Sequence, residues 1–140
     1  MEFQSRKEAG ATILTISGRL DAVTTPDYDL YAMNAEIEAF CEKQILPRAT
    51  RHSLLLLVEE LLQLHAPFLA SMVLDITIAH SAKKDSLELT LESTGEAVNP
   101  LDSAQLPDEM GLAIIRNLCD SIEYSRVRDK NRLVAVMRRT

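Results

Sequence analysis

The chain has 140 residues, the size of one domain, and 46% of them are apolar, enough to build a core. Trp is absent and aromatics make up only 4%, so that core must be aliphatic. A net charge of −6 argues against a protein that grips a nucleic-acid backbone and fits one with protein partners.

Residues Phe3–Ser5 and Thr12–Ile16 alternate as strands do, with Glu8-Ala9-Gly10 between them, which predicts a β-hairpin. Gly18-Arg19-Leu20-Asp21 closes it, and Thr24-Thr25-Pro26-Asp27 is a helix-start signal. From about Asp27 to Ile45, the residues Leu30, Met33, Ile37, Phe40 and Cys41 recur at threes and fours, as on one face of an amphipathic helix. Pro47 interrupts it. A second helix is expected from about Ala49 to His65, apolar on most sides and therefore central and buried. Pro67 ends it or begins a turn. Met72–His80 then alternates, with Met72, Leu74, Ile76 and Ile78 facing the core. Lys83-Lys84-Asp85-Ser86 reads as a hairpin turn, and Leu87, Leu89 and Leu91 as the inward face of the next strand. A loop from Ser93 to Glu109 leads to a third helix, about Gly111–Ser121. The last strands are expected at about Ile122–Arg128 and Arg132–Arg138, joined by Asp129-Lys130-Asn131.

Consecutive strands with short turns make a mainly antiparallel mixed sheet, and the helices can cover one face: an α/β two-layer sandwich. Residues 1–26 read as an N-terminal hairpin extension and 27–140 as the main domain. Cys41 and Cys119 lie in helix-like patterns without metal spacing, which predicts buried free thiols in a reducing cytoplasm. No signal peptide is expected at Met1, and the longest apolar run, Leu54–Val58, is too short to span a bilayer. His52, His65 and His80 are widely spaced, so they read as solvent-facing or capping side chains rather than metal ligands. None of Ser17, Ser53, Ser81, Ser93 and Ser103 sits in a nucleophile-elbow context. Arg48, Arg51, Arg138 and Arg139 read as solvated charges, or as a site for an acidic partner.

The segments Glu92-Ser93-Thr94-Gly95-Glu96-Ala97-Val98-Asn99-Pro100-Leu101 and Gly111-Leu112-Ala113-Ile114-Ile115-Arg116-Asn117-Leu118-Cys119-Asp120-Ser121-Ile122-Glu123-Tyr124 carry a resemblance. Over roughly Leu30 to Arg139 the chain resembles the anti-sigma factor serine kinases, a branch of the histidine-kinase-like (GHKL) ATPases. The resemblance implies that fold, a nucleotide pocket, ATP with Mg²⁺ as cofactors, and a sigma factor or STAS-domain protein as partner. The family often pairs through the sheet edge or first helices, so a homodimer is compatible with it.

Residue by residue, the pocket departs from the pattern. The family places a Glu four residues before a magnesium-holding Asn on one helix face. Here Glu60 is followed at that spacing by Leu64, and in the alternative register Glu59 by Gln63. Leu offers no ligand atom to a hard cation, and the Gln amide is one methylene too long. The resemblance gives Glu60, or alternatively Glu59, the catalytic position. The adenine-reading Asp belongs two residues before Gly95, where this chain has Ser93. Period two turns Ser93 inward with the leucines and Glu92 outward, so Glu92 cannot substitute. The phosphate lid should bring Gly-x-Gly into the helix start; Met110-Gly111-Leu112 keeps one glycine, after Asp108 and Glu109. A further resemblance, of the N-terminal hairpin and its exit through Thr12–Ala22 to the opening of a STAS domain, covers about 25 residues and stops.

The expected function is therefore a non-catalytic or weakly nucleotide-binding anti-sigma-like regulatory module that acts by protein–protein binding in bacterial partner switching, with no cofactor expected, no metal site, no nucleic acid and no membrane. The alternative is an active MgATP-dependent serine kinase that phosphorylates a STAS-domain partner.

Overall fold

The computed structural model describes residues 2–20, 27–65, 72–95, 97, 99–101 and 109–138. In chain order its elements are β1 (Glu2–Glu8), β2 (Ala11–Leu20), α1 (Asp27–Lys43), α2 (Arg48–His65), β3 (Met72–Ser81), β4 (Ser86–Thr94), α3 (Glu109–Leu118), β5 (Ser121–Val127) and β6 (Lys130–Arg138). The six strands form one sheet in the order β1-β2-β3-β4-β6-β5. Every neighbouring pair is antiparallel. The result is a two-layer α/β sandwich.

Alternation places the core. Across one sheet face, Ile16, Ile76, Leu91 and Leu133 lie side by side in register, and so do Leu14, Ile78, Leu89 and Ala135. All of these are buried, and they form one cluster with Met33, Ile37 and Phe40 of α1, with Leu54, Leu57, Val58 and Leu61 of α2, and with Ile115 of α3. The opposite face, with Thr15, Thr77, Thr90 and Val134 in register, is only half-buried. The helices thus cover one side. No helix among the described residues is long and apolar enough to cross a membrane.

Three sequence expectations change in detail. Helix α2 was expected to be apolar and buried on most sides, but it buries a single stripe, Leu54, Leu57, Val58, Leu61 and Leu62, while Leu56 is 39% exposed. A helix in a two-layer fold has only one layer to face. His80, expected at the solvent, is buried: the alternation of β3 runs past Ile78 and turns His80 inward, where its Nδ1 lies 2.8 Å from Gln44 Oε1. Arg51 is not simply solvated, because its Nε donates to the Leu46 carbonyl at 3.0 Å and braces the α1–α2 connection.

That connection is itself tightly specified. Leu46 N–H donates to Cys41 O at 3.0 Å and Ile45 N–H to Glu42 O at 3.1 Å, with Ile45 at φ 56°. This is a Schellman stop whose left-handed position holds a β-branched residue where glycine is usual.

The N-terminal hairpin is part of the sheet. β2 pairs with β3 along its length, from Thr12↔His80 to Leu20↔Met72, and Leu14 and Ile16 enter the core. A lone two-stranded hairpin is marginal in water, and this one gains a third strand and a covering helix. The boundary drawn at residue 26 falls in 21–26, outside the described residues.

Candidate functional site

The strand alternation that builds the core also delivers polar residues to one end of it. On β4 the inward series Leu87, Leu89, Leu91 continues to Ser93, which is 1% exposed. Its register neighbours are Leu74 on β3 and Asn131 on β6. Asn131, 4% exposed, continues the inward series of Leu133, Ala135 and Met137. Beyond it β5 supplies Arg126, in register with Asn131, and Tyr124, in register with Leu133.

These side chains are linked. The Tyr124 hydroxyl donates to Asn131 Oδ1 at 2.6 Å, and Arg126 Nη1 donates to the same oxygen at 3.2 Å. Ser93 differs: its Oγ is buried and, among the described residues, finds no hydrogen-bond partner. An unmet buried hydroxyl costs roughly 1–3 kcal/mol, and such groups in native structures are commonly met by a bound water. Glu92 points to the other face, where its Oε2 accepts from Arg132 Nε at 3.2 Å and Nη2 at 3.0 Å. The inward Ser93 and outward Glu92 are as the period-two reading expects.

The neighbouring loop is pinned where it leaves the sheet. Gly95 adopts φ 125°, a backbone angle that L side chains rarely adopt, although a Cβ there would meet nothing within 4 Å. Asn99 Oδ1 accepts the Leu101 N–H at 2.9 Å, Pro100 is buried, and Leu101 packs on the core. Gly111 and Leu112, in the first half of α3, are buried. Residues 102–108 and the side chain of Met110 lie outside the described residues, and with them the lid expected from Asp108-Glu109-Met110.

On α2, Glu59 and Gln63 both face solvent, while Glu60 is half-buried beside the apolar stripe. The Glu59–Gln63 register is thus turned away from the sheet. The side chain of Leu64, the other partner in the magnesium expectation, lies outside the described residues. Among the described residues, no three His, Cys, Asp or Glu side chains gather as a metal site would require. His80 sits six residues from the strand level of Ser93, roughly 20 Å along the sheet by the strand rise, and belongs to the opposite end.

Burial pushes the Cys41 thiol up from its ordinary 9.0 to about 11, with the nearby Arg51 charge opposing that rise. Cys119 is also raised, first by burial and then by the Asp120 carboxylate, and its S–H donates to the Ile115 carbonyl at 3.1 Å. Both are free thiols held in their protonated form.

The structure therefore gathers Ser93 with Asn131, Tyr124 and Arg126, none of which is among the expected pocket residues. Asn131 had been assigned to a turn with Asp129 and Lys130. The signal that would have found it is the alternation Asn131, Leu133, Ala135, Met137, read backwards from the strand. Chemically, this corner can exchange one hydrogen bond at Ser93 Oγ and present one guanidinium. Among the described residues, no hydrogen-bond partner lies within reach of the Ser93 hydroxyl.

No family model matches the chain, and no curated protein is similar to it in sequence.

Proposed function

We propose that this domain is a non-catalytic, at most weakly nucleotide-binding regulatory module, anti-sigma-like in its resemblance, that acts by binding another protein in partner switching. The observation that carries this reading is Ser93. It stands where the resembled kinases read adenine with a carboxylate, it is a neutral hydroxyl, and the adjacent carboxylate, Glu92, is on the opposite sheet face in a pair with Arg132. Charge-assisted hydrogen bonds are roughly twice as strong as neutral ones. The exposed Gln63 amide adds no magnesium ligand on the sheet side. Losing a charged hydrogen bond costs about 1.5–3 kcal/mol, and each 1.4 kcal/mol is about tenfold in affinity. Two such losses carry micromolar nucleotide binding toward the millimolar range. Sigma factors and STAS-domain proteins are the partner classes the resemblance suggests.

The second reading, an MgATP-dependent serine kinase acting on a STAS partner, has one observation on its side: the buried Ser93 Oγ has a hydrogen bond to give or accept. Calorimetric titration with MgATP and MgADP separates the two. The module should show no saturable binding at micromolar nucleotide and no phosphate transfer to a STAS-domain protein. Micromolar MgATP binding with transfer would establish the kinase. The double replacement Leu64→Asn with Ser93→Asp should strengthen binding if the pocket retains room.

A further inference from the structure

At the β1 edge of the sheet, beyond which no further strand pairs among the described residues, a cavity of about 420 Å³ opens between α1 and the β1–β2 hairpin. Leu14 and Phe40 supply its apolar part, and Ser5, Lys7, Glu36 and Lys43 stand around it. It is remote from the Ser93 corner and has no role in the reading above.

The backbone at this edge has a definite polarity. Ala9 and Gly10 both have positive φ, 50° and 83°, so the hairpin closes through a two-residue turn on the pair Glu8↔Ala11. In such a hairpin the closing pair exchanges ladder bonds and the bonded pairs then alternate. The backbone groups of Phe3, Ser5 and Lys7 therefore point away from β2, toward the open edge. The same three residues lie opposite Ile16, Leu14 and Thr12 and share their sheet face, the one α1 covers. A strand added to β1 would take its hydrogen bonds from these residues and hang alternate side chains over the cavity.

Charge selects the occupant. Among the described residues, Lys7 and Lys43 make no ion pair, whereas Arg6 is held by Glu8 at 3.2 Å and by Thr15 Oγ1 at 3.0 Å. Two free ammonium groups flank one carboxylate, Glu36, in a chain whose net charge is −6. We infer that the β1 edge and this cavity receive an extended acidic segment of a partner protein as a seventh strand, with carboxylates at Lys7 and Lys43 and apolar side chains over Leu14 and Phe40. This mode combines main-chain hydrogen bonds for affinity with side-chain pockets for selection.

The probe is a fluorescein-labelled peptide, Glu-Thr-Glu-Thr-Val-Thr-Val. Paired antiparallel to β1, it directs its two carboxylates and two valines inward, the carboxylates toward the hairpin turn. Fluorescence anisotropy on the full chain should show saturable binding that weakens with salt, and the same peptide with Lys for Glu should bind roughly tenfold worse or not at all. Ser5→Pro removes one edge N–H without touching the β1–β2 ladder and should abolish binding. The double variant Lys7→Glu with Lys43→Glu changes only exposed side chains and should also lose it, with circular dichroism confirming that both variants stay folded. The inference is overturned if the acidic peptide does not saturate, which would make the edge charges guards against strand addition, or if both variants bind it as the parent does. It is equally overturned if sedimentation shows a dimer that Ser5→Pro dissolves, since the edge would then be occupied by a second copy of the chain.

Discussion

Replacing Ser93 by Ala should make the free protein more stable. The Ser93 hydroxyl is buried at 1% exposure, and its Oγ has no partner among the described residues. Mutational data put the cost of an unmet buried polar group at about 1–3 kcal/mol. Alanine removes that cost and keeps the backbone pairing to Leu74 and Asn131. Against the gain stand the lost packing of one oxygen and a small difference in strand preference, a few tenths of a kcal/mol. The expected net effect is a gain of about 1 kcal/mol. In urea denaturation, with a slope of roughly 1–3 kcal/mol per molar, the midpoint should rise by about 0.3–1 M at constant slope. A midpoint that falls would refute the reasoning. It would mean that the hydroxyl is satisfied inside the folded protein, for instance by a buried water, and that this corner is a closed structural joint with nothing to offer a ligand.

Cys41 sets an alkaline limit on the fold. Its thiol titrates near 9.0 when unfolded and at about 11 when buried, so the unfolded chain releases its proton first; stability should hold below about pH 9 and decline as pH rises toward 11, and Cys41→Ala or Cys41→Ser should flatten that decline in thermal melts. Ile45→Gly should stabilise by about 0.5–1 kcal/mol, because relief of the left-handed strain, roughly 1–2 kcal/mol, exceeds the entropy glycine adds to the unfolded chain; Ile45 is 84% exposed and loses little packing, and an unchanged or lower melting temperature would contradict the Schellman geometry. Deleting residues 1–17 removes Leu14 and Ile16 from the core and strips β3 of a partner. At about 2–5 kcal/mol for each aliphatic side chain, that rivals the whole stability of a domain, about 5–15 kcal/mol. The truncated chain should lose its cooperative melt, and an unaltered melt would show the hairpin to be an appendage.

The layers and most strands were legible because alternation is a local property. Leu87, Leu89 and Leu91 predicted the face of Ser93, and the register against Leu74 and Asn131 bears this out. The last hairpin was harder to read. Asp129-Lys130-Asn131 has turn-like composition, yet the left-handed residues are Arg128 and Asp129, at φ 49° and 64°, so the turn closes one residue earlier and Asn131 enters the strand facing inward. Arg is an uncommon left-handed residue, and no local preference announces it. Leu55 and Leu56 made α2 look apolar all round, because composition does not say how many layers a helix will meet. The strand order was out of reach, since placing β6 between β4 and β5 depends on contacts distant in sequence. Of the candidate pocket residues, the inward Ser93 could be read from period two. Its alignment with Asn131, the residue that Tyr124 and Arg126 bind, could not, because it depends on that strand order and turn.

The position of β6 has a consequence for how the polypeptide matures. Among the described residues, β6 is the last strand in chain order, yet it lies inside the sheet and is the one strand paired with β5. While the chain is being synthesised, β1 through β4 can pair in sequence, with α1 and α2 between β2 and β3, but β5 waits for its partner and one edge of β4 stays open. Leu133, Ala135 and Met137 reach the apolar layer only once the residues up to 138 have cleared the ribosome. Closure therefore comes as one late event, and the nascent chain waits with an unsatisfied β4 edge that a chaperone or another nascent chain can reach. A stop codon placed just before Lys130 would remove a keystone rather than a tail.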